Sequence, residues 1–405
     1  MNITDIKKAF PIFTHHPDLI YLDSAATALK PAVVIASEQA YYEQCSTNIA
    51  RGIYPLAEQT TTAFEESRAT VARFIGARTP EEVIFTAGTT ASLNLTADLL
   101  ASRITKEDNI VTTALEHHSN FLPWKELAKR NKAELRIVPV TETGTLHLEA
   151  LKKLVDNHTK IVAFSATSNV LGTINPVSEI IRIIRSLNKE TVIIVDAAQA
   201  VGHIPVDVVA WDADFIAFSG HKLFGPTGVG VLFGKQTLLN QLSPVAFGGG
   251  MVLDACALET LYKDAPARFE AGTPNIAGII GLGAAITFIE SIGVAEIHAH
   301  ETKLARYACQ ALQKAFGDDI RILAAKNPED QSSIVSFTLT GAHPHDTAQL
   351  LGEHNICVRA GLQCAAPLHE ALNLSATTRL SFSIYNTEHD IDLLITRLKE
   401  IRTIL

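Results

Sequence analysis

Between Val83 and Gly234 the chain alternates short apolar, β-branched runs with helical stretches, a rhythm that few folds accommodate. Residues 83–85, 110–113, 135–140, 161–164, 191–195, 215–218 and 229–233 read as strands. Helical patterns starting near Thr89 and covering about 120–130 and 148–155 lie between them. Strands that alternate with helices predict an α/β fold, with a mostly parallel sheet covered on both faces. The last third has a different rhythm. Strands at 333–339, 356–359 and 379–383 interleave with helices at 346–353 and 388–401, which predicts a smaller α+β domain. Thr387 with Asp390 three residues on predicts an N-terminal cap for the last helix. A Gly/Ala-rich helix from about Ala277 is expected to link the two parts. The expected division is an N-terminal segment, 1–20, packing with the small domain, then a large domain, 21–275, then the linker helix and small domain, 276–405.

Two strand ends carry chemistry. The run 191–195 ends in Asp196-Ala197-Ala198-Gln199, and the run 215–218 leads into Ser219-Gly220-His221-Lys222. Open α/β sheets bind ligands at the carboxyl ends of their strands, and one strand-crossover-strand step separates the pair. A lysine and a carboxylate so placed suit pyridoxal phosphate (PLP): the amine bonds the cofactor aldehyde, and the carboxylate keeps the ring nitrogen protonated. Singly, each has a plainer reading, as a solvated loop lysine or a helix-capping Asp. Thr89 and Thr90, at a predicted helix start, can form a phosphate cup, and Ser219 and His221 can add donors. His117 follows another strand, where an imidazole can stack on a pyridine ring and move protons; the adjacent His118 is not separable from it by pattern alone.

Cys364 lies in Arg359-Ala360-Gly361-Leu362-Gln363-Cys364, followed closely by Pro367, a loop rather than a core segment. Arg359 and Arg379 put positive charge nearby in sequence, which favours a thiolate, and Arg379 can grip a carboxylate with its fork. As plainer readings, free thiols are usually inert core groups and each arginine is a surface ion pair. Cys309 and Cys357 fall in helical or strand patterns and read as packed thiols.

Composition narrows the setting. With 47% hydrophobic and 19% charged residues the chain is globular. A net charge of −9 gives no basic footprint for nucleic acid. Five cysteines with no C-x-x-C pair speak against structural zinc or a disulfide framework. No signal-like apolar start and no membrane-length apolar run stand out. The expectation is a cytoplasmic protein with no metal and no membrane or nucleic-acid partner.

At these motifs the chain resembles a group II cysteine desulfurase of the SufS/CsdA type, in the class V aminotransferase family of PLP fold type I. The resemblance runs through Tyr21-Leu22-Asp23-Ser24-Ala25-Ala26-Thr27, Gly88-Thr89-Thr90, Glu116-His117-His118, Ser168-Asn169-Val170, Asp196–Gln199, the Lys222 motif, Arg268-Phe269-Glu270-Ala271-Gly272-Thr273-Pro274-Asn275, the tight Arg359-to-Cys364 loop and Tyr385-Asn386-Thr387. It implies that Lys222 holds PLP, Asp196 pairs with its ring nitrogen, Gln199 contacts the phenolic oxygen and His117 stacks on the ring. Thr89, Thr90, Ser219 and His221 would hold the phosphate, joined by Thr273 from the second subunit of a homodimer. Asn169, Arg359 and Arg379 would bind the substrate carboxylate. Cys364 would take sulfur from L-cysteine as a persulfide, release L-alanine and pass the sulfur to an acceptor of the SufE/CsdE type for iron–sulfur assembly or other sulfur trafficking. Ala50, Ala87, Ala91 and Gln363 depart from the family pattern. The alternatives are a selenocysteine lyase using L-selenocysteine, a related PLP lyase or aminotransferase of the same fold, and a PLP-binding partner protein with little turnover.

Overall fold

The computed structural model describes residues 3–141, 143–325 and 327–404, so the first two residues of the N-terminal segment and the last of the C-terminal part lie outside it. Its main sheet has seven strands in the order Val83–Thr86, Gly230–Gly234, Phe215–Ser219, Val192–Asp196, Thr159–Ser165, Asn109–Thr113, Glu134–Val138. All neighbours pair in parallel except Gly230–Gly234, which is antiparallel to both of its neighbours. The inner strands are buried nearly end to end. Two-sided burial is why they read as continuous apolar runs rather than alternating ones.

This sheet brings Thr113, Ser165, Asp196 and Ser219 to one edge, where the helix Thr89–Leu100 also begins. Gly88 and Gly230 permit that convergence. A Cβ on Gly230 would sit 2.3 Å from Gly88 Cα, and Gly88 itself has φ +151°, so a side chain at Gly230 would push the helix start away from Ser219.

The second sheet is antiparallel, in the order Ile320–Leu323, Ile334–Leu339, Thr377–Ser381, Arg359–Gly361. Its first strand has no counterpart in the sequence reading. The stretch expected as one strand at 356–359 is two. Ile356–Cys357 pairs in parallel with Ile20–Tyr21, and Arg359–Gly361 turns into the antiparallel sheet. The last helix, Glu388–Ile404, carries its predicted cap: Thr387 N donates to Asp390 Oδ2 (3.0 Å), and Asp390 N donates to Thr387 Oγ1 (3.3 Å).

The Gly/Ala-rich helix Ile276–Ile292 packs on Pro55–Phe74 and Ala32–Ala40, inside the core of the larger sheet. The chain crosses to the second core after Gly293, where Val294–Phe316 starts at 77° to it. In the N-terminal segment the Phe10 ring meets Phe224, Phe288 and Tyr385 edge-on within the first core, and Ile20 pairs with Ile356 in the second. No single helix among the described residues is long and apolar enough to cross a membrane.

Candidate active site

A cavity of about 280 Å³ opens at the carboxyl edge of the large sheet. Of the residues expected to act in catalysis or to bind cofactor or substrate, all but Thr273 line it. Thr273 instead lies in a second cavity of about 400 Å³ with Asn48, Ala50 and Arg51, where Asn48 Nδ2 donates to Thr273 Oγ1 at 3.4 Å.

Lys222 closes a short 3₁₀ turn, Gly220–Lys222, directly after Phe215–Ser219. The turn is clamped by backbone contacts. Lys30 Nζ donates to His221 O (3.0 Å), Ala28 N donates to the same oxygen (2.9 Å), and His203 Nε2 lies 3.3 Å from Lys222 O. Burial lowers the Lys222 amine to about 8, with Arg379 adding to the effect and Asp196 opposing it. Asp196 is buried, and burial raises its carboxyl above the ordinary range. Its Oδ1 accepts from Ala198 N at 2.9 Å, and no cation forms a salt bridge with it among the described residues.

His117 and His221 are both lowered to about 4, first by burial and then by the Lys222 charge. Both imidazoles are therefore neutral near pH 7. The structure separates the two adjacent histidines that sequence left together. His117 lines the cavity, whereas His118 docks the sulfur loop: its N–H donates to Cys364 O (2.7 Å) and its Nε2 accepts from Ala366 N (3.2 Å). Beneath them Glu116 is fully buried, and burial raises it to about 7 against the pull of hydrogen bonds from Ser165, Thr113 and Asn120. Sequence reasoning gave Glu116 no role, since nothing in the pattern shows four donors converging on one carboxyl.

The helix Thr89–Leu100 starts without a side-chain cap. Its first N–H, at Thr89, donates to Ser219 Oγ (2.8 Å), and the Thr89 hydroxyl meets the same oxygen at 2.7 Å. Thr90 Oγ1 meets Ser119 Oγ at 2.7 Å. Hydroxyls and open first-turn amides at a helix start form an anion cradle.

Cys364 is exposed, on a loop in which Gln363 (φ 42°) and Cys364 (φ 56°) are both left-handed. Such non-glycine geometry persists only where neighbours enforce it, and here Gln363 is the lock. Its Nε2 donates to Thr377 O (3.1 Å), its Oε1 accepts from Thr377 Oγ1 (2.8 Å), and its own carbonyl accepts from Asn169 Nδ2 (2.8 Å). Asn169, expected at the substrate carboxylate, therefore already uses its amide on the loop. The two arginines, expected to favour thiolate, are both tied to Asp23, a residue of the Tyr21–Thr27 motif to which the sequence reading gave no role. Arg379 keeps one buried donor, Nε, without a hydrogen-bond partner. Burial raises Cys309 to about 11 and also raises Cys357. Cys256 was not distinguished by pattern. It is exposed at a hairpin turn, and the N–H groups of Leu258 and Glu259 lower its thiol.

Residues 20–394 match the pattern of the aminotransferase class-V family. The chain belongs to that family. A probable cysteine desulfurase of Halalkalibacterium halodurans is 44% identical, over 97% of this chain and 96% of the relative. The cysteine desulfurase of Cronobacter sakazakii is 41% identical, over 100% of this chain and 99% of the relative. Among solved structures, the cysteine desulfurase CsdA of Escherichia coli, in an S-sulfonic acid form, superposes with a TM-score of 0.92 at 35% identity, covering 100% of this chain and 99% of that one. The apo cysteine desulfurase of Thermococcus onnurineus NA1 superposes with a TM-score of 0.94 at 37% identity, covering 99% and 98%.

Enzymes of this family depend on PLP, and the residues here fit that cofactor. An uncapped helix start with hydroxyls suits a phosphate, a buried carboxylate without a salt bridge suits a cationic ring nitrogen, and a depressed lysine suits an aldehyde. The lysine carries a pH prediction. An amine lowered from 10.5 to about 8 becomes neutral, hence nucleophilic, as pH rises through about 8. Competitive acetylation of the cofactor-free protein, resolved by peptide, should place the Lys222 midpoint near 8. A Lys222 midpoint at the ordinary lysine value of 10.5 would contradict its burial.

Proposed function

We propose that the protein is a PLP-dependent cysteine desulfurase that converts L-cysteine to L-alanine and retains the sulfur as a persulfide on Cys364. Full-length relatedness supports the activity. The observation that supports the residue roles is the single cavity shared by Lys222, Asp196, His117, Arg379 and an exposed Cys364.

Bound PLP supplies a cationic ring that draws electrons from the substrate carbon skeleton. The chain's own groups do the rest. Asp196 would hold the proton on the ring nitrogen, Thr89, Thr90, Ser219 and His221 would hold the phosphate at the helix start, Gln199 would contact the phenolic oxygen, and neutral His117 would stack on the ring. Arg379 would bind the substrate carboxylate, with Arg359 beside it. Lys222, depressed to about 8, moves protons at the substrate carbons near neutral pH. Cys364 thiolate then attacks the substrate sulfur. A sulfur–sulfur bond forms as the Cβ–S bond breaks, the bonding pair stays with carbon, and the former thiol proton ends on the alanine methyl. Nucleophilic capture splits one difficult step into two.

The test is an assay of L-alanine and sulfide from L-cysteine, with and without a small sulfur-acceptor protein of the SufE/CsdE type. Stoichiometric alanine, accelerated by acceptor, is expected. A protein that binds PLP but forms no alanine would overturn the reading.

The working form is proposed to be a homodimer, with Thr273 completing the partner's phosphate site. Thr273 lies outside its own chain's Lys222 cavity, and Phe247, Leu253, Leu258 and Leu261 are exposed in the stretch that precedes it. Light scattering should give twice the chain mass. A monomer that still binds PLP tightly would contradict this.

A further inference from the structure

Arg359 and Arg379 are direct cross-strand partners in the antiparallel pair of Arg359–Gly361 with Thr377–Ser381. Like charges directly opposite are destabilising, and Asp23 resolves the conflict. Its backbone is fixed to the strand that carries Arg379. Ser381 N donates to Leu22 O (2.8 Å), Ala25 N donates to Ser381 Oγ (2.9 Å), and Asp23 forms a parallel bridge with Ser381. From there the carboxylate takes Arg359 Nε (3.2 Å to each oxygen) and Nη2 (3.0 Å), and also Arg379 Nη2 (3.0 Å). Arg379 Nη1 donates to Asn169 O at 2.9 Å, and the buried Nε has no hydrogen-bond partner. Side-chain exposure is 3% for Arg379, 14% for Asp23 and 47% for Arg359. The central pair is thus shielded from solvent, where charge counts most.

We propose that Asp23 is a specificity-determining positioning residue: by cancelling one of two facing guanidinium charges and aiming Arg379, it selects substrates with one carboxylate over those with two. This rests on the reading of Arg379 as the carboxylate anchor. Two arginines and one aspartate leave a single net positive charge, matched to one α-carboxylate. Removing the Asp23 charge leaves both guanidinium charges uncompensated, which favours a second ligand carboxylate close to them. A purely structural Asp23 would behave differently, since its loss would weaken both ligand classes alike.

The test is isothermal titration of the PLP-loaded enzyme with L-alanine and with L-aspartate, read as the ratio of their dissociation constants. Asp23→Asn should shift the ratio toward aspartate by about tenfold or more, and Asp23→Glu, which restores the charge, should return it toward the wild-type value. An unchanged ratio in Asp23→Asn, or an equal shift in Asp23→Glu, would overturn the proposal. If Asp23→Asn does not fold, Arg359→Gln serves. Losing one positive charge should move the ratio about tenfold away from aspartate, and no movement counts against the proposal. Arg379→Ala tests the underlying anchor separately, because unaltered alanine binding in that variant removes the anchor while leaving the Asp23 charge effect measurable.

Discussion

Replacing Lys222 by alanine should lower L-alanine formation from L-cysteine by about 10³-fold or more, while the protein stays folded. The loss is large because one amine both bonds the cofactor and moves the protons at the substrate carbons. The fold survives because the turn is held through backbone oxygens, by Lys30 and Ala28 at His221 and by His203 at Lys222, and not through the lysine side chain. Steady-state assay with thermal melting checks both halves. Borohydride treatment of the wild-type enzyme should fix the cofactor to the Lys222 peptide. Lys30 is the informative control, since burial lowers it to about 8 as well but its ammonium is engaged by carbonyl oxygens of Ala28 and His221. Cofactor fixed on Lys30, or near-normal turnover in Lys222→Ala, would contradict the assignment.

Cys364→Ala should abolish alanine release from L-cysteine, to below about one part in 10² of the wild-type rate, while PLP binding is retained. Lys222, Asp196 and Arg379 are untouched, so the cofactor band should persist and still respond when L-cysteine is added. L-Selenocysteine turnover should fall less, because the weaker carbon–selenium bond breaks with less nucleophilic assistance. The loop should also survive, since its left-handed turn is locked by Gln363, Asn169 and His118 rather than by the thiol. Full activity in Cys364→Ala would place the sulfur chemistry elsewhere.

What could be read from sequence follows from how local each signal is. Asp196 and Ser219 stand at the ends of buried parallel strands, and continuous β-branched runs announce such strands. Lys222 follows Ser219 within one turn, so it could be read with them. Cys364 was marked by flanking glycine and proline. The terminal-helix cap at Thr387 and Asp390 was likewise a short-range pattern, and its hydrogen bonds are present. The strand Ile320–Leu323 was not foreseen, because it is short and leaves Arg321 exposed on an edge. The stretch 356–359 looked like one strand because nothing local shows that its halves join different partners, one of them Ile20–Tyr21. Asp23 was out of reach for the same reason. Its arginine partners lie 336 and 356 residues away along the chain, so its place between them comes from folding rather than from any pattern. Gln363 could be seen as a departure from the family, but its bond to Thr377 depends on two separate strands meeting.

The most direct measurement is mass spectrometry of the PLP-loaded enzyme after a single turnover with L-cysteine, with every cysteine peptide resolved. Cys309 and Cys357 are raised by burial. Cys256, the other exposed thiol, is absent from the Lys222 cavity that Cys364 lines. The expected result is one added sulfur atom on the Cys364 peptide, matched by one L-alanine released. Added sulfur found only on Cys45 or Cys256, or alanine released with Cys364 unmodified and no sulfide formed, would contradict it.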